Sequence, residues 1–192
     1  MVASRFPRPN SMFSSASHLV SAVMMRVRGQ WCRLRYGVFG RHTIGKRLLV
    51  QGGLVIRGPG RIVLGDFVQC GTKVTLYTDR TDSLIAVGDH TFLNGSRVSC
   101  GKEVRIGAHC ILADCRLSDS DYHGLDPERR DEVPEPQPIH VEDRVWLTMA
   151  VIVLKGVTIG TGSTITPASV VVQDVPPRSL YGGNPAKLIR SL

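Results

Sequence analysis

The sequence predicts an all-β protein, a parallel β-helix of six-residue repeats, preceded by one short helix and interrupted by one long projecting loop. Three observations predict it. An apolar residue returns at every sixth position without a break, from Val141 through Leu147, Val153, Ile159 and Ile165 to Val171. A second register two residues earlier, Ile139, Val145, Val151, Val157, Ser163 and Ser169, holds only apolar or small residues. The composition, with 20 Gly against 5 Phe, 4 Tyr and 2 Trp in 192 residues, suits a turn-rich chain with a narrow core.

A period of six belongs neither to a helix nor to a lone strand. It fits a short strand followed by a corner. Three such units close a triangular coil, whose inward side chains stack on those of the next coil about 4.8 Å away. The same frame runs earlier through Ile62 and Leu64, Val68 and Cys70, Val74 and Leu76, Ile85 and Val87, Thr91 and Leu93, Val104 and Ile106, and Cys110 and Leu112. Weaker copies at Ile44, Val50 and Ile56 add a coil before the Gly58-Pro59-Gly60 turn. About six coils result, enough for a repeat array in which each unit is held only by its neighbours.

The remaining elements follow in chain order. Residues 1–16 contain Pro7, Pro9 and several serines without periodicity and read as a disordered leader. Residues 17–40 read as a basic amphipathic helix, with Leu19, Val20, Val23, Met24, Val27, Trp31 and Leu34 on one face, arginines beside it, and Gly29 weakening it. That helix either packs on the open end of the core, as the caps of repeat arrays do, or rests on a membrane. The β-helix spans 41–180 and a tail 181–192. Residues 77–84 form a short polar loop. The stretch from Ser118 to Pro138, rich in charge and proline, cannot sit in the stacked core and projects from a corner; long insertions of this kind are usually functional.

The formal charge is +8, and residues 1–61 hold 11 of the 24 Lys/Arg and none of the 16 Asp/Glu, so the rest of the chain is net acidic. Such a basic segment is either a solvated face or a contact for an anionic partner. Five cysteines with no Cys-x-x-Cys pair argue against a disulfide framework and a zinc ribbon, and point to a reducing, cytoplasmic setting. No apolar run reaches the 18 or so residues of a membrane span, and the start lacks a clean secretory signal, although an Arg- and Ser-rich, acid-free opening also describes an organelle transit peptide.

The segments Val157-Thr158-Ile159-Gly160, Asp174-Val175-Pro176-Pro177 and Gly183-Asn184-Pro185-Ala186-Lys187, following Val145-Trp146-Leu147, resemble the hexapeptide-repeat O-acetyltransferases of the maltose, galactoside and surface-polysaccharide type. The likeness covers about residues 62 to 192. It implies a left-handed parallel β-helix, against the usual right-handed crossover, and a homotrimer with active sites between subunits. It further implies acetyl-CoA as donor cosubstrate, no permanently bound cofactor or metal, and a sugar hydroxyl as acceptor. Nucleic acid is not among the implied partners.

Asp121-Tyr122-His123 resembles the family's catalytic loop, seventeen residues after Ile106. His123 is thereby the candidate general base, since imidazole titrates near neutrality and can take a proton from an attacking hydroxyl. By the same resemblance Asn94, Asp121 and Trp146 are acceptor-site residues, and Met149, Pro167, Gln173, Lys187 and Arg190 lie on the acetyl-CoA path. The chain departs from the family at Thr148 and Met149, where Gly followed by a small residue is common, at Pro167 for Ala, and at Gln173 for Lys. Two other classes stay open: a non-catalytic β-helix scaffold, and a zinc hydratase of the β-helical carbonic anhydrase kind. The hydratase needs a short-spaced histidine pair that His18, His42, His90, His109, His123 and His140 do not provide.

Overall fold

The computed structural model describes residues 15–38 and 40–192. Of the leader expected over 1–16, residues 1–14 lie outside the described residues. The chain enters through helix α1 (Ser15–Cys32), continued by a π-helical segment, Arg33–Val38.

Six three-stranded coils follow. They are β1 (Thr43–Ile44), β2 (Leu49–Val50) and β3 (Leu54–Arg57); β4 (Arg61–Leu64), β5 (Gln69–Cys70) and β6 (Val74–Thr78); β7 (Leu84–Val87), β8 (Phe92–Asn94) and β9 (Arg97–Cys100). The next three are β10 (Glu103–Ile106), β11 (Ile111–Ala113) and β12 (Arg116–Ser118); β13 (Ile139–Val141), β14 (Trp146–Leu147) and β15 (Ile152–Val153); β16 (Thr158–Ile159), β17 (Thr164–Ile165) and β18 (Val170–Val171). A partial seventh coil bridges Val175 to Ile159 and continues into β19 (Ser179–Gly183) and β20 (Ala186–Ser191). Strands β1, β4, β7, β10, β13 and β16 make the first sheet. Strands β2, β5, β8, β11, β14, β17, β19 and β20 make the second, and β3, β6, β9, β12, β15 and β18 the third. All pairings are parallel except that of β19 with β20.

The inward positions of the six-residue frame are the core. Down the second sheet Cys70, Leu93, Leu112, Leu147 and Ile165 pair one above another, and down the third Leu76, Val98, Leu117, Val153 and Val171 do the same. Each is buried. The small polar members of the second register are satisfied at the corners: Thr91 donates to the Gly107 carbonyl (2.7 Å), Ser163 to Pro176 (2.8 Å) and Ser169 to Thr166 (2.7 Å). Among the described residues no buried side-chain nitrogen or oxygen lacks a partner.

Both ends of the stack carry additional structure. At the entry, Cys32 is buried with the first coil and Tyr36 packs against it. Gly29 is required there: a Cβ at this position would lie 1.8 Å from the Leu48 carbonyl oxygen. The glycine that weakens the helix in isolation is what lets it seat on the solenoid. At the exit, residues expected as a tail instead fold back as β20, antiparallel to β19, because pairing there satisfies an edge that would otherwise face solvent.

The five thiols are buried and unpaired. Burial pushes Cys70 up to about 12 and Cys110 and Cys115 to about 11; burial and then the Asp119 carboxylate raise Cys100, and burial raises Cys32. Ellman's reagent at neutral pH is expected to leave the native thiols unreacted and to titrate all five after denaturation. Leu112, fully buried, is expected to cost roughly 2–5 kcal/mol when changed to Ala in urea unfolding. Leu19→Ala, at a side chain 66% exposed, should shift the midpoint by less than about 0.5 kcal/mol.

Candidate active site

The projecting loop leaves the corner between the third and first sheets, and a carboxylate staples its root. Asp119, fully buried, accepts from the N–H groups of Gly101 (2.6 Å), Lys102 (2.8 Å) and Glu103 (2.9 Å) on the corner one coil earlier. Its own carbonyl accepts from Gln137 N–H at 2.9 Å, closing the loop. Ser118 Oγ donates to the Ser120 carbonyl (2.9 Å), and Ser120 Oγ accepts from Tyr122 N–H (3.2 Å). Asp121 pairs with Lys155, on the same corner one coil further on.

Tyr122, in the left-handed region at φ 64°, turns its phenol onto the outer face of the third sheet. There it lies close to Asp79 and to the hydroxyls of Ser99 and Ser118, neighbours on β9 and β12. Burial pushes this phenol up to about 12, so it stays neutral across the physiological range. On the far side Gly124 N–H donates to the Arg130 carbonyl (3.1 Å), and the Arg130 guanidinium returns a bond to the Gly124 carbonyl (2.9 Å). The backbone on both sides of His123 is therefore fixed, while the imidazole is exposed to solvent. The exposed pair Arg80–Glu135, at 3.2 Å, adds little to this tether.

The opposite edge of the third sheet is the corner reached from the second sheet. Asn94, Met149 and Pro167 all stand on it, in the third, fifth and sixth coils. Asn94 Oδ1 accepts from Thr72 N–H (2.9 Å) and Thr72 Oγ1 (3.0 Å), which leaves the amide N–H2 as its outward group. Thr148 turns inward and donates to the Ile165 carbonyl at 2.6 Å, so the bulk at this corner is Met149, 62% exposed. Between the two edges, Ile152, Leu154, Val170 and Val172 make an outward apolar strip on the fifth and sixth coils. Gln173 closes it on the His123 side.

The structure thus gathers His123, Asp121, Asn94, Met149, Pro167 and Gln173 around one sheet. Trp146, 49% exposed, lies on the outer face of the second sheet between Ile111 and Thr164, and Lys187 and Arg190 extend along β20 at that sheet's edge. Within one chain, the root of the His123 loop and Asn94 are separated by the width of the third sheet, about 13 Å for a four-residue strand. Sequence reasoning missed Lys155, Tyr122, Asp119 as the staple, and the apolar strip. The six-residue frame marks what points inward and carries no signal for the outward face. Among the described residues no three His, Cys, Asp or Glu side chains converge as a metal-ligand set.

A scan against protein-family profiles finds no match. The chain is 42% identical over 103 residues to a presumed acetyltransferase of Schizosaccharomyces pombe, covering 53% of this chain and 47% of that protein. It is 28% identical over 161 residues to a presumed colanic acid biosynthesis acetyltransferase of Escherichia coli K12, covering 84% of this chain and 75% of that one. The chain spans about half the length of the first curated relatives it matches. A hexapeptide-repeat acetyltransferase of Vibrio cholerae, solved in complex with acetyl coenzyme A, superposes with a TM-score of 0.59 at 28% identity, over 94% of this chain and 92% of that one.

Repeat, solenoid and relatives agree on the class: a hexapeptide-repeat β-helix. Over most of its length the chain is similar to hexapeptide-repeat acetyltransferases.

Asp119→Ala is expected to leave three corner N–H groups unpaired and to lower stability by about 3 kcal/mol or more, read as a fall in melting temperature by circular dichroism.

Proposed function

We propose that this protein is an O-acetyltransferase that moves an acetyl group from acetyl-CoA to a sugar hydroxyl. The observation that carries the proposal is the stapled loop. Asp119, Asp121 and Tyr122 fix the backbone beside His123 at the edge of an open face whose other edge presents the Asn94 amide. The apolar strip of Ile152, Leu154, Val170 and Val172 offers the pantetheine arm a surface, with Met149, Pro167 and Gln173 along its borders. Lys187 and Arg190 are suited to the phosphates, where charge-assisted bonds are strong. The Vibrio cholerae relative complexed with acetyl coenzyme A supports the same donor.

In this mechanism His123 removes the hydroxyl proton as the oxygen attacks the thioester carbonyl. The C–S bond then breaks, protonated His123 returns the proton to the leaving sulfur so that coenzyme A departs as the thiol, and no covalent acetyl-enzyme is needed. Backbone N–H groups beside the thioester would stabilise the oxyanion. Because His123, Asn94 and Trp146 stand on different corners and faces of one chain, a second copy packed along the sheets completes the site. This supports a homotrimer. The acceptor is proposed to belong to a surface polysaccharide or lipid-linked glycan, a reading supported by the Escherichia coli relative named for colanic acid biosynthesis. The same reading sets the enzyme in the cytoplasm at the inner face of a membrane.

Calorimetry with acetyl-CoA is the first test. Micromolar binding is expected, and its absence would mean that Met149 and Pro167 close the donor path and leave a non-catalytic scaffold. In an acceptor screen, His123→Ala should lower turnover about a hundredfold or more, with acetyl-CoA affinity retained. Near-native turnover in that variant would overturn the assignment of the base.

A further inference from the structure

Helix α1 presents two opposed faces. On one, Gly29 and Cys32 are buried and Ala22, Met25 and, just beyond, Tyr36 are half-buried against the first coil. At about 100° per residue the four that belong to α1 fall in one sector. Leu19, Val20, Val23, Met24, Val27 and Trp31 fall in the sector diametrically opposite, about 140° wide, and every one is exposed, Trp31 by 63%; Leu34, in the π-helical segment beyond, is exposed as well. Arg26 borders the apolar sector on one margin and Arg28, whose guanidinium donates to the Gln51 carbonyl, on the other, and Arg33 and Arg35 follow in the π-helical segment. The helix therefore caps the solenoid with its small-residue face and turns its apolar face away from the protein. Capping the core and facing a partner, which read as alternatives from the sequence, occupy different sides of one helix.

From this geometry we infer that the outward face of α1 docks flat on an anionic lipid bilayer, its six apolar side chains entering the headgroup–acyl boundary and exposed neighbouring arginines such as Arg26 meeting lipid phosphates. A side chain such as Trp31 at the end of an exposed stripe is suited to that boundary, where a ring can be half wet. The charge distribution favours lipid over self-association. Residues 1–61 carry 11 Lys/Arg and no Asp or Glu, so two copies of this face repel while an anionic surface attracts each arginine. No described helix is long and apolar enough to cross a membrane. The inference deepens the membrane contact proposed above and is independent of acetyl transfer.

The test is co-sedimentation of the full chain with phosphatidylcholine vesicles and with phosphatidylcholine–phosphatidylglycerol vesicles at low and high salt. Binding is expected only to the anionic vesicles, falling as salt rises. The triple variant Val23→Gln, Val27→Gln, Trp31→Gln should bind about tenfold or more weakly, with unchanged melting temperature because its side chains face away from the core. Tryptophan emission should shift to the blue with anionic vesicles in the native chain and not in Trp31→Phe. Equal sedimentation of native and triple-variant chains, or no sedimentation of the native chain at low salt, would overturn the inference. So would a loss of oligomer size in the triple variant without loss of vesicle binding, which would make a second copy the occupant. Acetyl-CoA affinity of the triple variant, expected unchanged, keeps this result separate from the fate of the acetyltransferase reading.

Discussion

Parallel hydrogen bonding between successive coils is the constraint on which the rest of the molecule depends. Each strand of two to five residues is too short to persist alone, and it exists because the coil before and the coil after present matching carbonyls and N–H groups. The register cannot drift, since a slip of one residue would turn Leu93, Leu112 and Leu147 out to solvent together. Departures from the repeat are consequently confined to corners, where the strand ladder is already interrupted. The long insertion obeys this rule: it leaves after Ser118 and rejoins at Ile139 without breaking a sheet.

That confinement also gives the loop its rigidity. A twenty-residue excursion would ordinarily be the least ordered part of such a molecule. Here Asp119 ties its root into the previous corner and Lys155 holds Asp121 from the next. Tyr122 anchors on the sheet between them. One histidine is thereby presented from a braced frame while its ring stays open to a reactant, the division of labour expected of a group that must be both positioned and accessible.

How much of this was legible in the sequence follows from what the six-residue period encodes. It reports the inward positions, so much of the core from Ile62 to Val171 could be read, while the inward Val98, Cys100, Cys115 and Leu117 of β9 and β12, and Val175, were not picked out. The outward chemistry had to come from local resemblance, which pointed to His123, Asn94 and the C-terminal basic residues but said nothing of the apolar strip or Lys155. Asp119 looked like one acid among many in a charged loop; only the fold shows three backbone donors converging on it. Helix α1 read as either a core cap or a membrane contact, with no sign of which face would serve which. Amphipathic reasoning assumes that the apolar face is the buried one, whereas close approach to the Leu48 carbonyl required the face carrying Gly29.

The two ends of the stack carry one more consequence. A stack of parallel strands terminates in rows of free N–H and C=O groups, and identical stacks could anneal end to end into fibres without limit. The antiparallel turn of β20 reverses strand direction at one terminus, and a helix that offers no strand edge occupies the other. Growth by addition of further copies along the solenoid axis is opposed where α1 covers the first coil and where β20 reverses strand direction on the second sheet.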